Sequence, residues 1–139
     1  MNPPESVIQR RGAVGVICRG DRLLVIRRSE LVAAPGAYCF PGGGIDGDET
    51  EQAALVRELH EELAVVATPL RRLWESTTSW GVWLAWWQAE LAPEAEPVPN
   101  LAEVAALHWL TIAEMRALPG LLSSNHEFLD AVAAGQIEL

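Results

Sequence analysis

Residues 50–63 constrain the fold most, because apolar and acidic positions both repeat there with helical spacing. On a wheel of about 100° per residue, one arc holds four apolar side chains: Leu55, Val56, Leu59 and Leu63. The neighbouring arc holds three carboxylates: Glu58, Glu61 and Glu62. Asp48 and Thr50 are the candidate N-caps. The pattern predicts a helix that packs its apolar arc on a core and carries the carboxylates beside that core.

The three carboxylates repel one another. Glu58 and Glu62 stand four residues apart, which destabilises an isolated helix by about 0.2–0.5 kcal/mol. Most such charge runs are solvated faces, but this one adjoins the apolar arc and contains a single arginine, Arg57. A divalent cation would relieve the repulsion, and clustered oxygen ligands favour Mg²⁺, with Mn²⁺ as the alternative. Zinc is disfavoured, because the HExxH motif needs a histidine where Ala64 stands.

A glycine run precedes this helix and allows two interpretations. Gly42, Gly44 and Gly47 satisfy the pattern GxGxxG, which would predict a dinucleotide-binding module that binds NAD without added metal. The acidic residues 46, 48, 49 and 51 argue against that, because a pyrophosphate needs positive potential there. Alternatively, the glycines let the backbone turn tightly and bring carbonyl oxygens close to an ion.

The whole-chain composition excludes several classes of function. The net charge of the 139 residues is −9, which predicts no binding to nucleic-acid polymers or anionic membranes. All ten basic residues are arginine, so a Schiff-base or Walker lysine is excluded. Two cysteines are too few for a disulfide framework, which favours a reducing compartment. We therefore expect a cytoplasmic protein, and the oligomeric state is left open, a homodimer included.

Short apolar runs around the helix predict the rest of the fold. Strands are expected at residues 14–18 and 23–26 as a hairpin, and at 38–40, 80–91 and 107–110. Further helices are expected at 112–118 and 128–134, and a proline-rich loop at 93–99. Strands and helices do not alternate strictly, which predicts an α/β protein of the α+β type with a mixed β-sheet sandwiched between helices. Residues 1–139 are expected to form a single domain.

The glycine run and the acidic helix together carry a family resemblance. Gly43 is followed by Glu49 after five residues and, after seven more, by Arg57-Glu58-Leu59-His60-Glu61-Glu62-Leu63-Ala64-Val65. This resembles the Nudix box, Gx5Ex7REUxEExGU with U aliphatic, at all but one defined position. Residues 43–65 are identified as that box, and weaker resemblance to the MutT-like branch covers most of the chain. The resemblance implies a Nudix fold with the box as a loop–helix–loop.

The resemblance also implies an activity and a set of site residues. The implied activity is Mg²⁺-dependent hydrolysis of a nucleoside diphosphate linked to another moiety. The implied metal ligands are the Gly42 carbonyl, Glu58, Glu61, Glu62 and, before the tryptophan of a late strand, Glu103. Arg57 matches the arginine that orients the glutamates, and Glu61 or Glu103 is the candidate general base. The implied substrate contacts are Arg28 at a strand end, and Phe40 and Asn125 beside the base.

Departures from the family pattern bear on geometry and substrate. Ala64 replaces a glycine that usually takes a left-handed turn, which costs about 1 kcal/mol unless the helix ends differently. Asp48 stands where many members have glycine. Trp80 stands where members that favour ADP-ribose carry proline, which favours a nucleoside triphosphate, and Trp80 or Trp83 is a candidate to stack on its base. An ADP-ribose or nucleotide-sugar pyrophosphatase and a non-hydrolytic nucleotide sensor are the alternatives, although sensors typically lose the box glutamates.

Overall fold

A mixed β-sheet organises the computed structural model, which describes residues 10–139. Its strands within those residues are β1 (Arg10–Arg19), β2 (Arg22–Arg28), β3 (Tyr38–Cys39), β4 (Gly42–Gly44), β5 (Thr68–Thr77), β6 (Val82–Glu90) and β7 (Val104–Leu110). β1 runs parallel to β6 and antiparallel to β2 and β4. β5 extends the sheet beyond β6, and β7 pairs with β2. The predicted mixed sheet is confirmed, while the first nine residues of the predicted domain lie outside the described residues.

The helices begin and end near the predicted positions. They are α1 (Glu51–Leu63), α2 (Ile112–Arg116) and α3 (Ser123–Ala133). Of the two candidate caps, Thr50 is the one used, and its side chain accepts a hydrogen bond from the Ala53 amide at 3.1 Å. α1 ends at Ala64 in the left-handed conformation, with φ 54° and ψ 37°. Alanine therefore makes the turn expected of glycine, and its N–H donates to the His60 carbonyl at 3.0 Å.

The two faces of the sheet carry separate apolar cores. On one face, the predicted apolar arc of α1 is buried, with Leu55, Leu59 and Leu63 fully inaccessible and Val56 at the edge. On the other face, Trp86 of β6 stacks on Phe128 of α3, with ring centroids 4.7 Å apart. Helices thus cover both faces, as the predicted sandwich requires. No helix among residues 10–139 is long and apolar enough to cross a membrane.

Three elements differ from the prediction. β5 was not predicted, and its pairing with β6 shifts register twice, around Pro69 and around Leu73, which breaks the period-two pattern that identifies a strand. The glycine run, predicted as a turn, forms the short strand β4 against β1. α3 also begins five residues earlier than expected, at Ser123. The apolar pattern did not reveal this start, because polar residues fill the first turn of the helix.

Candidate active site

Glu62 is the most deeply placed of the predicted ligands. It lies in the last turn of α1 and is 6% exposed. Its Oε1 accepts a hydrogen bond from the Gly42 amide at 3.0 Å. Burial, and next the like charges of Glu58 and Glu103, raise the pKa of Glu62 to about 8. Among residues 10–139 Glu62 forms no salt bridge, and the Gly42 hydrogen bond and the charge of Arg28 offset the rise in its pKa only in part.

Glu58 lies one turn earlier on α1 and contacts β4, the strand of Gly42–Gly44. A Cβ added at Gly43 would stand 2.3 Å from the carboxyl carbon of Glu58, so only glycine leaves room for this carboxylate. Burial raises the pKa of Glu58, and Glu61 and Glu103 add to that effect while Arg57 opposes it. The close approach of Glu58 explains why a glycine is needed at residue 43.

Arg57 ties the loop of residues 44–49 to α1. Its Nε and Nη2 each donate to the Glu49 carboxylate at 2.8 Å, a bidentate pair, and Nη2 also donates to the Gly44 carbonyl at 2.8 Å. Its Nη1 donates to Glu58 at 2.9 Å and lies 3.4 Å from Glu61. These bonds raise the pKa of Arg57 and lower the pKa of Glu49 to about 2. Arg57 is thus placed to orient the glutamates, as its box position implies.

Glu103 and Glu61 complete the predicted ligand set from two sides. Glu103 precedes β7 and is close enough to Glu58 and Glu62 to raise the pKa of both. Glu61 is exposed and turns toward Arg57. In this side-chain arrangement, no three Asp, Glu, His or Cys side chains within residues 10–139 converge on one point closely enough to hold an ion. The donor set still fits Mg²⁺, because it offers oxygen ligands only and includes the buried carboxylate of Glu62.

A cleft of about 960 Å³ opens beside this carboxylate group. All four predicted substrate contacts line it: Arg28, Phe40, Trp80 and Asn125. The glutamates do not line the cleft themselves. Glu62 and Glu58 lie behind Gly42 and Gly43, which form part of the cleft wall and contact these two carboxylates directly. The structure therefore brings the predicted ligands and the predicted substrate contacts to neighbouring sides of one glycine strand.

Two of the predicted substrate contacts build the wall of the cleft. Asn125 is 3% exposed, and its Oδ1 accepts a hydrogen bond from the Phe40 amide at 2.9 Å. Its Nδ2 donates to the Ser124 hydroxyl at 3.2 Å. Because both ends of this amide are engaged, Asn125 fixes the position of Phe40. Arg28 is also restrained, since its Nε donates to the Ala33 carbonyl at 2.6 Å.

The two candidate stacking tryptophans lie in different places. Trp80 is 51% exposed at the cleft, in a turn where the Thr78 hydroxyl accepts the Val82 amide at 3.0 Å. Trp83 lies outside the cleft lining, and the Arg11 and Arg72 guanidiniums approach its ring to 5.3 and 5.0 Å. Only Trp80 is therefore placed to reach a ligand in the cleft.

Sequence reasoning missed further residues of the cleft, polar ones among them. Arg10, Arg11 and Thr78 line it as well. Their only signal in the sequence was a pair of charges at a strand start and a hydroxyl near a turn. Neither pattern identifies a cleft, because the cleft forms only when β1 and β6 pair.

The geometry does not support a dinucleotide fingerprint. That motif requires the glycines to lead from a strand directly into a helix N-terminus, whereas Gly42–Gly44 pair with β1 and α1 begins only at Glu51. Gly42 has φ 148°, and a Cβ there would stand 2.2 Å from the Ala13 carbonyl oxygen, so pairing with β1 requires the glycine. The left-handed residue of the following loop is Gly47, with φ 49°, and not Asp48.

The fold and this box-bearing site define a family. Residues 9–132 match the family model described as NUDIX domain, and the chain therefore belongs to the NUDIX domain family. Within that family it is similar to MutT-like proteins. The crystal structure of the MutT protein from Methanosarcina mazei Go1 has a TM-score of 0.79 with this chain, at 16% identity, covering 93% of this chain and 96% of that one. At that identity the likeness shows the shared fold.

Two curated relatives are similar over shorter stretches. The chain is 46% identical over 69 residues to RNA pyrophosphohydrolase from Acidiphilium cryptum, which covers 47% of this chain and 42% of that protein. It is 39% identical over 57 residues to 8-oxo-dGTP diphosphatase from Proteus vulgaris, which covers 40% of this chain and 51% of that protein. The chain thus spans about half or less of the length of these relatives.

Proposed function

We propose that this protein is a Mg²⁺-dependent pyrophosphohydrolase. Its substrate is a nucleoside diphosphate linked to another moiety, in the first place a nucleoside triphosphate, canonical or oxidised, cleaved to the monophosphate and pyrophosphate. The observation that carries the proposal is the pair of carboxylates Glu58 and Glu62 directly behind the glycine wall of the cleft, with the charge of Glu103 near both. At about 960 Å³ the cleft has the size of a small-molecule site.

The residues that would hold Mg²⁺, or Mn²⁺, are those that the box and the late glutamate supply: the Gly42 carbonyl, Glu58, Glu61, Glu62 and Glu103. When bound, the metal neutralises the charge of the pyrophosphate and polarises its phosphoryl oxygens. This resolves the apparent conflict between an acidic protein and an anionic substrate. The Nudix box of residues 43–65 carries two-thirds of the excess negative charge, and three of its seven acidic residues, Glu58, Glu61 and Glu62, belong to the proposed cation site.

The chain's own residues supply the remaining chemistry. Glu61 or Glu103 takes a proton from the attacking water, whose oxygen forms a new bond to phosphorus while the bridging P–O bond breaks. Arg57 acts indirectly, because its hydrogen bonds hold Glu58, Glu61 and the loop carbonyl of Gly44. Arg28 lies at the cleft for the phosphates, and Trp80 offers an exposed aromatic surface for the base. The Phe40 ring does not offer such a surface, contrary to its predicted place beside the base, because Phe40 is 3% exposed and packs edge-on against Trp86 and Phe128.

The substrate class is supported by chemistry and by the relatives. The names of two relatives refer to an oxidised nucleoside triphosphate and to RNA, and Trp80 replaces the proline typical of ADP-ribose enzymes. A non-hydrolytic sensor is less consistent with the site, because all the box carboxylates are present. The cytoplasmic location, the single domain over residues 1–139 and a homodimer stay predictions.

A hydrolysis screen tests the substrate class. Canonical and oxidised nucleoside triphosphates, ADP-ribose, nucleotide sugars, dinucleoside polyphosphates and a 5′-triphosphate RNA oligomer are incubated with the protein, with Mg²⁺ and with EDTA. We expect Mg²⁺-dependent release of a monophosphate and pyrophosphate from a nucleoside triphosphate. Tight nucleotide binding with no turnover of any substrate would instead identify a sensor.

Glu62→Gln tests the site. The amide still accepts the Gly42 hydrogen bond but carries no charge, so Mg²⁺-dependent turnover should be abolished. Because burial raises the pKa of Glu62 to about 8, the metal-free variant should be at least as stable as the wild type above that pH in thermal unfolding. Glu127→Gln, at an exposed position on α3, is the matched control and should retain full turnover. Undiminished turnover in Glu62→Gln would overturn the assignment.

A further inference from the structure

The segment before β7 is hydrogen-bonded to the end of α1 that carries the carboxylates. The Val98 amide donates to the Leu63 carbonyl at 2.8 Å, and the Asn100 amide donates to the Glu62 carbonyl at 2.8 Å. The Asn100 side chain adds a bond from Nδ2 to the Glu61 carbonyl at 3.3 Å. These bonds use carbonyls that the last turn of a helix leaves without helical partners. The segment is therefore fixed to the backbone of the two glutamates at residues 61 and 62.

Asn100 also fixes the backbone of Glu103. The Asn100 carbonyl accepts the amides of Glu103 at 2.9 Å and Val104 at 2.8 Å. Its Oδ1 accepts the Ala102 amide at 3.2 Å, which closes the turn between residues 100 and 103. One residue thus bonds both to the end of α1 and to the turn that carries Glu103.

Ser29 holds the same turn from the opposite side. It is 4% exposed, and its amide donates to the Glu103 carbonyl at 3.0 Å. Its Oγ donates to the Ala102 carbonyl at 2.8 Å and accepts the Leu31 amide at 3.1 Å. Ser29 directly follows Arg28, where the pairing of β2 with β7 shifts register. Such irregularities in strand pairing change the direction of nearby side chains and are frequent beside active sites.

We propose that Asn100 and Ser29 are positioning residues that hold Glu103 against the carboxylates of α1 and tie it to Arg28. The inference rests on the proposed function, because Glu103 matters there as ligand or base. It goes beyond that function by giving the Glu103 turn two named supports. Its mechanism is geometric: the bonds to the backbone of Ala102, Glu103 and Val104 restrain the turn that carries the carboxylate. Loss of a support lets the carboxylate move, and small displacements of a reacting group lower the rate by large factors.

A double-mutant cycle distinguishes positioning from ordinary loop stability. Asn100→Ala and Ser29→Ala are made singly and combined with Glu103→Gln. Each single variant should lower kcat about 10–100-fold with little change in KM, the range typical of residues that orient metal ligands. In the Glu103→Gln background the same substitutions should lower kcat almost no further, because the carboxylate that they position is already absent.

A second readout does not depend on turnover. Mn²⁺ binding, measured by calorimetry without nucleotide, should weaken in Asn100→Ala and Ser29→Ala, and should weaken no further when either is combined with Glu103→Gln. Asn100 is exposed and its backbone bonds survive the substitution, so this variant serves if Ser29→Ala fails to fold. The matched control is Thr111→Ala, which removes a side-chain acceptor from the α2 cap and should leave Mn²⁺ affinity and kcat unchanged.

The outcomes separate the inference from the function on which it rests. If the wild type hydrolyses nucleotides but the single variants match Thr111→Ala, or their effects multiply with that of Glu103→Gln, the positioning role is wrong. If the wild type hydrolyses nothing while Mn²⁺ binding shows the expected non-additive pattern, the proposed function fails and the positioning role stands.

Discussion

The box and the cleft are built in opposite ways although they share one wall. The box is held together by polar contacts within one short stretch of chain, with Arg57 bonded to Gly44, Glu49 and Glu58 at 2.8–2.9 Å. The cleft is lined by side chains from widely separated segments, among them Trp80, which is 51% exposed. Under the proposed function, the contiguous box together with Glu103 would hold the metal, and the dispersed side chains of the cleft would select the substrate.

Of the changes that test this comparison, the largest effect is expected at Gly43, in the wall that the box and the cleft share. Gly43→Ala would place a Cβ 2.3 Å from the Glu58 carboxyl carbon. The atom met is the end of a flexible side chain, so we expect the fold to survive and Glu58 to move away. A displacement on the order of 1 Å at the reacting centre costs about 100-fold in rate. Steady-state kinetics should show that fall mainly in kcat, and thermal unfolding should show little change.

The neighbouring glycine supplies the control for this prediction. Gly44→Ala adds a Cβ with nothing within 4 Å, and the Gly44 carbonyl that binds Arg57 is retained. Its kcat should stay near the wild-type value. Equal losses in the two variants would mean that the strand backbone, and not the room for Glu58, limits activity.

The same contrast explains what the sequence could predict. The box is contiguous, so helical spacing alone places Leu55, Leu59 and Leu63 on the core side and Glu58 and Glu62 beside it. The cleft depends on strand pairing. Arg10 reaches it only because β1 lies beside β6, and nothing local in the sequence marks that pairing.

Tertiary contacts also account for what was missed outside the cleft. β5 has two register shifts, so its side chains do not alternate, and no period-two pattern marks it as a strand. Glu103 lies near Glu62 although the two residues are 41 positions apart in the sequence. Only the family resemblance predicted that they belong to one site, since neither residue type nor spacing indicates it.

An intermediate effect, on KM, is expected from a substitution in the cleft. Trp80→Ala removes an exposed aromatic surface, and stacking on a base is worth about 1–3 kcal/mol. The KM for a nucleoside triphosphate should therefore rise about 10-fold or more, with kcat changed less. Trp83→Ala is the control, because Trp83 contacts Arg11 and Arg72 outside the cleft and its loss should lower stability without raising KM. A KM unchanged in Trp80→Ala would show that the base binds elsewhere.

The smallest expected effect concerns the end of the box helix, where stability changes but chemistry does not. Ala64 has φ 54°, a conformation that costs alanine about 1–2 kcal/mol, so Ala64→Gly should relieve strain. Glycine also gains entropy in the unfolded chain, which offsets about 0.4–1 kcal/mol. The net gain is about 1 kcal/mol, a rise of about 3–4 °C in Tm. Ala134→Gly, at the right-handed end of α3, should instead lower Tm. If both variants lose stability, the left-handed turn at residue 64 is wrong, because only that conformation reverses the sign between two otherwise similar helix ends.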